Sequence, residues 1–138
     1  MSAKECLRKI RAERLEIEQL SEQIEELKYS LLPSGIQYDK IKVQTSPDDM
    51  MLRIVAEIDT YERQIRQHLE KMISRQNTAI KYIGMLERSE YRQVLILYYM
   101  TSPRPTWTQV ANTMSLSDQR IYQLHNDAMT ELEKIWQD

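Results

Sequence analysis

The chain has 138 residues, 41% of them hydrophobic and 29% charged, with 2 Gly, 4 Pro and no Phe. That leaves no room for two unrelated full-size domains, and the shortage of turn formers and β-favouring aromatics excludes an all-β sandwich or barrel. Nineteen basic against twenty-one acidic residues give a formal charge of −2, so no chain-wide positive field points to nucleic acid or an anionic membrane.

No run approaches the ~18 apolar residues of a membrane span. The start MSAKECLRKIRAERLE carries charge where a signal peptide needs an apolar core, and the single cysteine, Cys6, has no mate for an internal disulfide. A reduced, cytoplasmic setting is expected, with no membrane partner and with Cys6 a spectator.

From Ala3 to Leu31 there is neither Gly nor Pro, and Ile17, Leu20, Ile24, Leu27 and Leu31 recur at alternating steps of three and four, the seam of a coiled coil. Extended backwards, the register meets Ile10 but also Glu13, so the first half is the weaker part. The helix opens basic, with Arg8, Lys9, Arg11 and Arg14, and turns acidic through Glu16, Glu18, Glu22, Glu25 and Glu26.

Leu32-Pro33-Ser34-Gly35 stops this helix and opens a linker near 32–46, with a turn at Tyr38-Asp39-Lys40. Ser46-Pro47-Asp48-Asp49 predicts a new helix: Ser46 as N-cap, Pro47 in the first helical position, and two carboxylates at the positive end of the dipole. The second helix is expected to reach about Arg88, with Leu52, Val55, Ile58, Ile65, Leu69, Met72, Ile73, Ile80, Ile83 and Leu86 as its apolar stripe and Gly84 weakening it. The two long helices can pair within one chain or between copies, and a homodimer through this arm is expected.

Around Ser89 the pattern changes. Tyr91, Val94, Leu95, Leu97, Tyr98 and Tyr99 form a dense apolar helix that ends before Thr101-Ser102-Pro103-Arg104-Pro105. Thr106-Trp107-Thr108-Gln109 has the form of a capping box, so a short helix starts at Trp107. Ser115-Leu116-Ser117 interrupts it, and DQRIYQLHNDAMTELEKI resumes a helical period with Ser117 as cap. The spacing is that of a helix-turn-helix, with Ala111 small at the crossing and Val110, Met114, Leu116, Ile121 and Leu124 in the shared core. Ser115 stands where glycine often supplies a left-handed turn residue, at a cost of about 1 kcal/mol.

Residues 89–135 resemble region four of bacterial sigma factors: an apolar first helix, a T-W-x-x-V-A second helix and an S-x-x-R-I-x-x-L-x-x-x-A-x-x-x-L recognition helix. With the upstream PSGIQYDKIKVQTSPDD stretch, the chain looks like the short phage-associated regulators of the RinA and ArpU type. That resemblance implies a role in late-gene transcription. The expected fold is all-α: a helical arm with dimerisation region over 1–88, then a DNA-binding helix-turn-helix over 89–138.

In the recognition helix Ile121, Leu124, Ala128 and Leu132 face the core, which turns Gln119, Gln123 and Asn126 outward, with Asp118, Arg120 and Tyr122 on the flanks. Gln and Asn pair with adenine in the major groove, Arg120 reaches guanine or phosphate, and Tyr122 meets a thymine methyl or phosphate. The resemblance implies base contacts at Asp118, Gln119, Tyr122 and Gln123. Arg104, Thr106 and Ser117 are expected to supply phosphate contacts near helix N-termini.

From Arg88 onward there are five basic against six acidic residues. A lone copy should therefore bind DNA weakly and draw on dimerisation, on RNA polymerase, or on basic residues donated by the arm. His68 and His125, the only histidines, have no metal-ligand spacing, and there is no phosphate-cradling loop or nucleophile elbow, so neither an enzyme nor a cofactor is expected. Trp107 and the tyrosines at 91, 98 and 99 read as core. Two other functions fit the same pattern: an adaptor that grips RNA polymerase with little direct DNA contact, and a small DNA-packaging subunit.

Overall fold

A computed structural model describes residues 1–32 and 47–137, and the described residues form five α-helices and no strand. They are α1 (Ala3–Ser30), α2 (Pro47–Ile83), α3 (Ser89–Met100), α4 (Trp107–Thr113) and α5 (Asp118–Ile135). The all-α expectation holds. The expected N-cap Ser46, the Tyr38 turn and nearly all of the linker lie outside the described residues.

α2 begins at Pro47 with Asp48 and Asp49 in its first turn, where the helix dipole favours anions. It stops at Ile83, short of the expected Arg88. Beyond it the Met85 amide donates to the Tyr82 carbonyl and the Leu86 amide to the Ile83 carbonyl, both at 3.0 Å, the three-residue bonds that tighten and close a last turn at Gly84.

The chain divides into two compact units, Met1–Leu15 with Glu70–Asp138, and Glu16–Leu69. In the first, α3, α4 and α5 pack on one another through Val94, Leu95, Tyr99, Val110, Ala111, Ile121, Leu124, Ala128 and Leu132, all buried. Ala3, Cys6, Leu7 and Ile10 of α1 and Ala79, Tyr82, Ile83 and Leu86 of the α2 end are buried in the same unit. The unit is thus larger than the 89–138 span read from the sequence. Fifty residues bury too small a fraction of their surface to close a core comfortably, and both long helices contribute to it.

The first half of α1, weak by the seam register, is its best-buried part, because Ala3, Leu7 and Ile10 are fully covered at steps of four and three. Glu13, the misfit on the seam, accepts from Arg75 at 3.1 Å, with the two side chains only 15% and 24% exposed. The ion pair joins α1 to α2 within one chain.

The stripe of α2 also differs from expectation. Leu52, Val55, Ile73 and Ile80 are half exposed or more, whereas Met72, Ile83 and Leu86 are buried as expected and are joined by Ala79 and Tyr82. The covered line follows steps of three and four through 72, 75, 79, 82 and 86, a 3.5-residue seam that those four leucine, valine and isoleucine positions miss. In the second unit Ile24 is buried and Ile17, Leu20, Leu27, Ile54, Ile58 and Ile65 are half-buried. Its ion pairs Asp59–Arg63 (3.1 Å) and Glu25–Lys28 (3.9 Å) are solvent-exposed and contribute little.

Candidate nucleic-acid interface

The site begins with how α4 and α5 are started and stopped. The Thr106 hydroxyl accepts from the Gln109 amide (3.2 Å) and the Gln109 side-chain oxygen accepts from the Thr106 amide (2.9 Å), the reciprocal pair the sequence predicts. At the other end of α4, Ser115 has φ 57°, the left-handed conformation that closes a helix. The Leu116 amide then donates to the Ala111 carbonyl (2.9 Å) and the Ser115 amide to the Asn112 carbonyl (3.1 Å), satisfying carbonyls that α4 would otherwise leave open. Ser117 caps α5, its hydroxyl accepting from the Arg120 amide at 3.1 Å.

These devices fix the rotation of α5. Ile121, Leu124, Ala128, Met129 and Leu132 are buried, and Gln119, Arg120, Tyr122, Gln123 and Asn126 are exposed. The five outward residues share the N-terminal half of the helix, where a recognition helix meets base edges. Asp118 is engaged: its carboxylate accepts from the Thr108 hydroxyl at 3.2 Å and ties α5 to α4.

Beside that face lies an aromatic block. The Trp107 ring stacks on Tyr98 with centroids 3.6 Å apart, meets His125 at 4.7 Å and takes Tyr122 edge-on at 5.5 Å. Tyr98 and Trp107 are therefore packing residues, and Tyr122 packs on one side while staying exposed on the other. Below them the Tyr99 hydroxyl and His125 Nε2 are 2.7 Å apart. Burial lowers the His125 pKa, with a further push from the charges of Lys4 and Arg8 against the opposing hydrogen bond of Asn126. Burial likewise pushes Tyr99 up to about 12. Both groups are neutral near pH 7, and they share one hydrogen bond whose donor is set by the His125 tautomer.

The aromatic block floors a cleft of about 650 Å³ that brings together Arg104, Tyr122 and Asn126 with three cations of α1: Lys4, Arg8 and Arg11. Thr106, Ser117, Asp118, Gln119, Arg120 and Gln123 lie outside this cleft. The sequence pattern points to Arg104, Tyr122 and Asn126 by number, and to basic residues of the arm only as a group, without singling out Lys4, Arg8 and Arg11. A signal for them exists in the steps of four and three from Lys4 to Arg8 to Arg11, alongside the apolar line of Ala3, Leu7 and Ile10.

Among the described residues no three His, Cys, Asp or Glu side chains gather as a metal site, and no helix is long and apolar enough to cross a membrane. Cys6 is buried, its thiol 3.7 Å from the Arg75 carbonyl. No family model, curated protein or solved structure matches this chain.

Proposed function

We propose that α4, the Met114–Ser117 turn and α5 form a helix-turn-helix that reads double-stranded DNA, and that the protein is a sequence-specific transcriptional regulator. The observation that carries this reading is the division of α5 into a fully buried apolar face and an outward face of Gln119, Arg120, Tyr122, Gln123 and Asn126. Amides and a guanidinium at that spacing offer paired donors and acceptors to adenine and guanine in the major groove. A surface helix needing only solubility would more commonly carry Lys and Glu there.

Charge distribution supports the same unit as the DNA-facing part. Met1–Leu15 with Glu70–Asp138 carries thirteen basic and ten acidic residues, whereas Glu16–Leu69 carries six and eleven. The near-neutral total averages a basic unit and an acidic one. By its resemblance to sigma region four the target is a promoter, and by its likeness to the RinA and ArpU type the setting is phage or prophage late transcription in a bacterial cytoplasm. Pairing of two copies through the arm belongs to this proposal and would double the number of readers; light scattering tests it.

Selection of duplexes from a random pool, followed by nuclease footprinting, tests the function. A common motif protected over a few consecutive base pairs is expected, and a pool that stays random after repeated rounds overturns it. The acidity of Glu16–Leu69 favours one alternative, an adaptor whose arm engages a basic surface of RNA polymerase. Retention of polymerase in nuclease-treated extract, together with a random pool, is its signature.

A further inference from the structure

Resting on the DNA-binding reading above, we propose that the cleft between the first turns of α1 and the middle of α5 is a phosphate seat, in which Lys4 and Arg8 grip the backbone of the strand that α5 reads. Four cations, Lys4, Arg8, Arg11 and Arg104, line the cleft, and no carboxylate does. In a chain that carries more acidic than basic residues, such a one-signed concave surface collects anions.

The three cations of α1 divide by what already holds them. Arg11 donates to the Tyr98 carbonyl at 2.6 Å and the Pro105 carbonyl at 2.8 Å and lies over the Tyr98 ring, so it builds the wall. Lys4 and Arg8 are exposed, sit one turn apart on one face of α1, and line the cleft together with His125. Their helix is anchored: Glu133 of α5 accepts from the Lys4 amide at 2.8 Å, and the Trp136 indole donates to the Met1 carbonyl at 3.0 Å. The backbone that carries the cations is thus braced, and what is left to order on binding is the two side chains themselves.

The source of the phosphate follows from the neighbours. Tyr122 and Asn126 line the same cleft and belong to the outward face of α5, so a phosphate seated there belongs to the nucleic acid lying against that face. This supplies the basic residues that the five-against-six charge balance beyond Arg88 lacks. Phosphate contacts carry no sequence information, so the seat raises affinity for every duplex alike.

The experiment measures binding of the full-length chain to the selected duplex and to a scrambled one by fluorescence anisotropy, over roughly 50–300 mM salt. Lys4→Ala/Arg8→Ala is expected to flatten the slope of log K against log salt by about 1.8, to weaken both duplexes by roughly ten- to a hundredfold at about 0.1 M salt, and to keep their affinity ratio. Lys71→Ala/Lys81→Ala, which removes the same charge from exposed α2 positions outside the cleft, is expected to change little. An unchanged slope in the first variant, or an equal loss in both variants, overturns the seat. If the wild-type chain binds no duplex, the DNA reading fails on its own, and calorimetry with inorganic pyrophosphate decides the seat. Heat that disappears in Lys4→Ala/Arg8→Ala sustains it with free phosphate as the source; no heat in the wild type overturns it.

Discussion

The Arg11 guanidinium lies 3.9 Å over the Tyr98 ring and donates to the carbonyl of that same residue at 2.6 Å. One side chain near the start of the chain thereby fixes the end of α3, and through Pro105 the loop that leads into α4. Arg14 extends the clamp by donating to the Met100 carbonyl at 2.9 Å and to the Ser102 hydroxyl. The beginning of the arm is part of the frame that orients the candidate recognition helix.

Arg11→Lys tests that clamp. An ammonium has neither the planar fork that meets two carbonyls nor the flat face that stacks on a tyrosine. The substitution is expected to lower stability by about 2 kcal/mol in urea unfolding followed by tryptophan fluorescence. A midpoint equal to wild type would mean that α1 does not brace the α3–α4 loop.

The Glu13–Arg75 pair predicts an asymmetry between single and double replacement. Removing one partner leaves a mostly covered charge, so Arg75→Leu is expected to cost about 2–3 kcal/mol, whereas Glu13→Leu/Arg75→Leu fills the seam with apolar groups and recovers most of that loss. Additive losses in thermal melts would show that the pair adds nothing beyond its separate side chains.

Ser115, at φ 57°, is a non-glycine residue in the left-handed region. Ser115→Gly is expected to stabilise the chain by up to about 1 kcal/mol and Ser115→Val to destabilise it by more than that, since a β-branched side chain crowds this backbone most. Circular dichroism melts check both signs, and a rise in melting temperature for the valine variant would contradict the assignment.

His125 and Tyr99 each make the stability of the first unit depend on pH, at opposite ends of the range. Because burial lowers the His125 pKa below the 6.5 of the unfolded chain, its contribution is complete above pH 6.5. As pH falls below that value, the unfolded chain takes up a proton the folded one refuses, and stability declines. Tyr99 acts at the other end: raised from 10.0 to about 12, it contributes below pH 10 and loses that contribution between pH 10 and 12. Urea midpoints compared at about pH 7.5 and about pH 5.5 should fall more in wild type than in His125→Gln; equal falls would remove His125 from the account.

Local signals made most of the fold legible. The Thr106–Gln109 box, the Ser117 cap and the Ser115 turn are each decided within a few residues, and all stand where the sequence predicts them. The core face of α5 followed from one clean helical period. What escaped depended on long-range partners. Glu13 spoiled a heptad until Arg75, 62 residues away, met it. Leu52, Val55, Ile73 and Ile80 looked like core because hydrophobicity alone does not separate a 3.5-residue seam from its flanks. Among the candidate DNA contacts the same division holds: Gln119, Gln123 and Asn126 came from periodicity, whereas Lys4 and Arg8 join Arg104 in one cleft only because α1 lies beside α5.

The most direct test of base reading by α5 is the ratio of affinities for the selected and scrambled duplexes, measured in wild type and in Arg120→Ala/Gln123→Ala. Both residues are exposed on α5, so the melting temperature should be unchanged. If the two side chains read bases, each is worth about 1–3 kcal/mol of discrimination, and their removal predicts a ratio lower by at least about tenfold, with binding to the scrambled duplex nearly preserved. An unchanged ratio with folding intact would contradict base reading by this helix.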